Sequence, residues 1–170
     1  MNIDELLESN RQYAAAADVG HVDIRPARKL AIVTCMDSRV DVFAALQLRD
    51  GDAHVLRNAG GVITDDVIRS LAISQRVLGT RDVMLIHHTD CGMQKLTDDG
   101  FRAELQNATG VAPAFAIESF RDLASDVRQS ILRVRRSSFL LHEGSIRGFV
   151  YDVDTRLLEE IVATDDEQAS

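Results

Sequence analysis

Two cysteines and a histidine hold the clearest chemical potential in this 170-residue chain: Cys35, then His88 53 positions later, with Cys91 three residues beyond it. Thiolate and imidazole are ligands that zinc favours. A Cys2His set leaves the fourth tetrahedral position to water, the layout of a catalytic site. A structural site wants a fourth protein ligand. No third cysteine exists, so Asp37 or another histidine would have to supply it. Taken singly, each residue reads as well as a buried thiol or a core imidazole, and His-x-x-Cys alone is a weak signal. The two cysteines also admit a redox reading, as reversible thiols that bind no metal.

For the three to meet, the chain must bring two distant segments together. Residues 29–34, Lys-Leu-Ala-Ile-Val-Thr, form a short β-rich apolar run of the kind that makes a strand buried on both faces, and Cys35 ends it. Residues 82–87 form a second such run, ending at His88. Between them the sequence predicts a short helix over 40–48, a turn at Gly51 and a strand over 53–57. A helix follows from Thr64-Asp65-Asp66 to Gly79, with Val67, Ile68, Leu71, Ala72 and Leu78 at helical spacing. Strand and helix alternate, which implies a parallel sheet covered by helices. In such sheets ligands gather outside the carboxyl ends of the strands, where Cys35, His88 and Cys91 all fall.

The remaining segments read less sharply. Residues 3–17 have Ile3, Leu6, Leu7 and Tyr13 on roughly one face and predict an N-terminal helical arm. Residues 97–113 lack a clear period and read as a loop with short helical pieces. A second amphipathic helix is expected with Phe120, Leu123, Val127, Ile131 and Val134 on its apolar face. Residues 144–153 and 156–162 predict a strand and a hairpin partner, and residues 164–170 a frayed tail. The expected fold is α/β: a central, mostly parallel sheet of four strands plus a C-terminal edge hairpin strand, flanked by helices, in a single domain over 1–170.

Composition narrows the function. With 27 acidic against 19 basic residues the formal charge is −8, which repels nucleic acid and anionic membranes. The acidic start, Met1-Asn2-Ile3-Asp4-Glu5, leads into no apolar signal region, so a cytoplasmic home is expected. The longest near-apolar run, 30–36, falls far short of the ~20 residues of a membrane span. Gly60-Gly61 is too short for a dinucleotide fingerprint, and no phosphate loop appears.

Cys35-Met36-Asp37-Ser38-Arg39, taken with His88-Thr89-Asp90-Cys91-Gly92, resembles the β-class carbonic anhydrases. Their signatures are Cys-x-Asp-x-Arg after the first strand and His-x-x-Cys after a later one. The Arg57-Asn58-Ala59-Gly60 segment looks like that family's loop after the second strand, and the resemblance runs over roughly residues 28 to 96. It implies one zinc ion per chain on Cys35, His88 and Cys91, with Asp37 and Arg39 as the catalytic dyad. The implied reaction is reversible hydration of carbon dioxide to bicarbonate and a proton by zinc-bound hydroxide. The alternative on the same scaffold is hydrolysis of carbonyl sulfide or carbon disulfide.

The Gly92 N–H is the candidate contact to substrate oxygen. His54, His87 and His142, apart from His21, are candidate proton shuttles, and sequence singles out none. Family members regulated by bicarbonate tend to have tryptophan three residues before the first cysteine. This chain has Ile32 there, so that regulatory pocket is expected to be missing. The resemblance further implies a homodimer, or a dimer-based tetramer, with the N-terminal helix reaching over the partner.

Overall fold

A computed structural model describes residues 2–17, 20 and 22–163. His21 and the tail 164–170, expected to be frayed, lie outside the described residues. The chain forms strands β1 (Leu30–Cys35), β2 (Ala53–Asn58), β3 (Asp82–His88), β4 (Ile146–Tyr151) and β5 (Leu158–Ile161). They make one sheet in the order β2-β1-β3-β4-β5. The first four run parallel, and β5 pairs antiparallel with β4 at the edge, as expected.

The helices are α1 (Ile3–Ala16), α2 (Val42–Leu46), α3 (Asp65–Arg76), α4 (Asp98–Thr109) and α5 (Leu123–Arg136), of which α3 and α5 pack against the sheet. Because β1 and β3 are central, both of their faces are covered, which is why their sequences are nearly continuous apolar runs. On one face Val67 and Leu71 of α3 and Val127, Ile131 and Val134 of α5 pack on Ala31, Val33, Val83 and Leu85. On the other, Ile32 and Ile86 meet Val40, Val42 and Tyr151. Leu71 and Leu85 are fully buried, each worth about 2 kcal/mol of apolar transfer.

Register decides where the chemistry lands. Thr34 pairs with Ile86 on the neighbouring parallel strand, so Cys35 lies one residue beyond that pair and His88 two. On the other side of β1, Cys35 pairs with Asn58. The carboxyl ends of β1, β2 and β3 therefore open onto one side of the sheet.

Three elements differ from expectation. Residues 98–109 are one continuous helix, α4, where a loop with helical pieces was predicted. No residue of α4 is buried, so it carries little apolar period. Its ends define it instead: Thr97 accepts the Gly100 N–H, and Gly110 closes it in the left-handed conformation. Phe120 does not belong to α5. Asp122 caps that helix by accepting the Ser125 N–H at 2.7 Å, leaving Phe120 in the preceding loop, where it turns into the sheet's C-terminal edge. Helix α3 stops at Arg76, three residues before Gly79, so Leu78 lies beyond it.

Candidate metal centre

Cys35, His88 and Cys91 come together as predicted. One ligand atom from each lies within 4.8 Å of the others, and all three residues are buried. The His88 ring has a defined orientation: its Nδ1 lies 2.9 Å from the Thr89 carbonyl oxygen, which can only accept, so Nδ1 carries the proton. Nε2 then presents a lone pair, and it is buried without a hydrogen-bond partner. Such an atom is costly to bury unless something binds it.

The thiols are poised in the same way. The Gly60 N–H donates to Cys35 Sγ at 3.3 Å. Interaction with the Cys91 thiol pushes Cys35 well below an ordinary thiol, against the opposing effect of burial, while Cys91 is pushed up by the same interaction. A cation bound by both sulfurs would displace their protons. An unpaired imidazole nitrogen and two thiols at this spacing fit zinc, whose bonds to nitrogen and sulfur are about 2.0 and 2.3 Å long.

Around this group lies an apolar shell of Val62, Met93, Ile117 and Phe120. Two glycines bring the shell close. A Cβ at Gly60, whose φ is +85°, would meet Phe120 and Met93 at 3.0 and 3.1 Å. At Gly61, φ +73°, it would stand 2.9 Å from the backbone of Cys35 and of Thr34.

Asp37 and Arg39 form a two-pronged pair beside the ligands. Arg39 Nε donates to Asp37 Oδ1 at 3.0 Å and Nη2 to Oδ2 at 2.8 Å, while the Arg39 backbone N–H adds a third bond to Oδ1 at 2.9 Å. The guanidinium hydrogen bond holds the Asp37 carboxyl well below the usual carboxylate range. Asp37 Oδ2 is 3.7 Å from His88 Nε2, so the carboxylate reaches the ligand atoms.

Gly92 follows Cys91 at an exposed position, and a Cβ there would meet nothing within 4 Å, so packing does not require glycine. The shuttle candidates disperse. His54 bonds Ser74 at 2.7 Å, His87 is buried against Asp126 at 2.6 Å, and His142 is exposed.

Two contributors escaped sequence reasoning. Arg57 donates to the carbonyls of Cys35, Asp37 and Val40 at 2.9, 2.7 and 2.8 Å, stitching the Cys35 loop to β2. It stood in a segment already noted, but its partners depend on the loop's folded path. Asp90 takes Arg39 from the far side, with Nη1 donating to its carboxylate at 2.9 Å.

The carbonic anhydrase family profile matches residues 30–138. The chain is 50% identical over 158 residues to the β-carbonic anhydrase 1 of Mycobacterium tuberculosis, covering 93% of this chain and 96% of that one. It is 32% identical to the carbon disulfide hydrolase of Saccharolobus solfataricus, over 93% and 88% of the two chains. The crystal structure of a carbonic anhydrase from Streptococcus mutans superposes with a TM-score of 0.90 at 41% identity, over 95% of this chain and 99% of that one. With a profile match across both ligand segments and half of all aligned residues shared with a relative of nearly the same extent, this chain belongs to the β-carbonic anhydrase family.

Proposed function

We propose that the protein is a carbonate dehydratase that hydrates carbon dioxide reversibly to bicarbonate and a proton, with one zinc ion per chain on Cys35, His88 and Cys91. The observation that carries this reading is the meeting of three buried ligand atoms within 4.8 Å, with the Asp37–Arg39 pair beside them. When bound, zinc supplies the Lewis acidity that makes hydroxide available at neutral pH.

The chain's own residues do the rest. Asp37, kept ionised by Arg39, is an acceptor only. Its Oδ1 already takes two bonds from Arg39, whereas Oδ2 takes one and keeps acceptor capacity on the side of His88. It holds the nucleophile's proton away from the reacting lone pair, which orients attack on the substrate carbon. In this reading the Gly92 N–H donates to a substrate or product oxygen. Val62, Met93, Ile117 and Phe120 pack around the ligands and give the site apolar surroundings that suit carbon dioxide, a small apolar molecule.

Carbonyl sulfide and carbon disulfide are the alternative substrates, since the same attack on a linear carbon serves all three. Comparing hydration of carbon dioxide with hydrolysis of both by one purified preparation tests the assignment. Carbon dioxide is expected to give the highest kcat/KM; a higher value with either sulfur compound would reassign the substrate.

The proposal includes a homodimer, with a dimer-based tetramer as the next assembly, and a cytoplasmic location. The dimer is supported by α1, whose Ile3, Leu6, Leu7 and Tyr13 are all at least half exposed, an apolar face that wants a partner surface. Sedimentation equilibrium should therefore report a dimer, and Leu6→Asp with Leu7→Asp should shift it toward monomer; a monomeric wild type at micromolar concentration would refute the assembly. The two free cysteines suit a reducing compartment, and among the described residues no helix is long and apolar enough to cross a membrane. Fractionation of cells expressing the native chain tests the location.

A further inference from the structure

We propose that Asp90, backed by Lys95, is a positioning residue for the Asp37–Arg39 dyad: it fixes the guanidinium from behind so that both Asp37 oxygens stay engaged. The inference rests on the hydration reading above, for which the dyad is the working pair. Asp90 lies between the ligands His88 and Cys91, and Arg39 binds it twice. Nη1 donates to Asp90 Oδ2 at 2.9 Å, and Nη2 donates to the Asp90 carbonyl at 3.0 Å. The other carboxylate oxygen, Oδ1, is held by Lys95 Nζ at 2.7 Å.

The consequence is geometric. With Nε and Nη2 on Asp37 and both Nη atoms on Asp90, every nitrogen of the guanidinium has a fixed partner. Arg39 cannot rotate away from Asp37 without also breaking both contacts to the segment that carries two metal ligands. That segment is itself pinned. The Thr89 N–H donates to the Tyr151 carbonyl at 2.9 Å, and Thr89 Oγ1 accepts the Val153 N–H at 3.0 Å. Asp90 follows with φ +53°, a left-handed conformation that aspartate tolerates better than most residues.

Lys95 keeps the two carboxylates from competing on equal terms. Its ammonium takes up part of the Asp90 charge, so Arg39 is shared rather than captured. All three outer side chains are exposed, and isolated exposed ion pairs contribute little to stability. The role of Asp90 is therefore one of placement, and small misplacements of reacting groups are costly in rate.

Asp90→Asn is the test, because asparagine accepts the left-handed backbone and keeps the size while removing the charge. The zinc-loaded protein is compared with wild type for metal content, for kcat and KM with carbon dioxide, and for water exchange of the Arg39 Nε–H by 15N NMR. The variant should keep one zinc per chain, lose about tenfold in kcat with little change in KM, and exchange the Arg39 proton about tenfold faster. Lys95→Met, outside the ligand segment, should move both readings in the same direction by roughly threefold. Wild-type kcat and wild-type Arg39 exchange in zinc-loaded Asp90→Asn would overturn the proposal. Should that variant lose zinc, unchanged Arg39 exchange in Lys95→Met would overturn it. Failure of the hydration reading is distinguishable, because it shows in the wild type as absent turnover, while the Arg39 exchange still decides the placement.

Discussion

Replacing Cys35 with alanine is expected to reduce zinc from one per chain to near zero and to lower carbon dioxide hydration by about a thousandfold, because Lewis acidity worth several kcal/mol leaves with the metal. The nearby acid Asp37, with Oδ2 3.7 Å from His88 Nε2, is engaged by Arg39 through three hydrogen bonds and does not join Cys35, His88 and Cys91 in their metal-binding group, so it replaces the lost thiolate poorly. Two remaining ligands, one a neutral imidazole, would bind the ion far more weakly. The fold should survive, since the lost side chain is small and lies at the end of β1 rather than in the apolar layer between sheet and helices. Metal analysis beside circular dichroism checks both halves. Full zinc content in a folded Cys35→Ala protein would remove Cys35 from the ligand set.

Gly61→Ala should be among the most damaging substitutions of a single methyl group. Its φ of +73° is disfavoured for alanine, and the added Cβ would sit 2.9 Å from Cys35 N and Thr34 C and 3.2 Å from the Ile86 carbonyl oxygen. All three are backbone atoms of the two central strands, which cannot swing aside as a side chain would. Left-handed strain and overpacking together cost about 3 kcal/mol, or roughly a 10 °C fall in Tm for a chain of this size. Any relief must come from moving the end of β1, so zinc affinity should fall as well. A variant melting within about 2 °C of wild type would show that this edge of the sheet yields more readily than its contacts imply.

The legible part of this protein was the part written in runs and motifs. Residues 30–35 and 82–88 announce buried parallel strands because both of their faces are covered, and that places Cys35 and His88 at carboxyl ends. Their actual meeting depends on the Thr34–Ile86 register, which no local pattern encodes. Helix α4 is not legible in the sequence because it buries no residue and so carries little apolar period; only Thr97 and Gly110 mark its ends. Phe120 matched the period of α5 but lies beyond the cap at Asp122, and it serves the apolar shell of the site instead. Arg57 and Asp90 are plain in the sequence. Their partners, Cys35 and Arg39, lie 22 and 51 positions away and become neighbours only once the loops close over the sheet edge.

The central claim is that this chain hydrates carbon dioxide through a metal held by three of its own side chains. Stopped-flow hydration on protein of measured zinc content, before chelation, after chelation and after zinc is restored, tests it most directly. Activity is predicted to rise in proportion to zinc up to one ion per chain, to vanish on chelation and to return on reloading. Protein carrying one zinc per chain without hydration activity from neutral to alkaline pH would contradict the account, and would instead describe a zinc-stabilised protein in which Asp37 fills the fourth position.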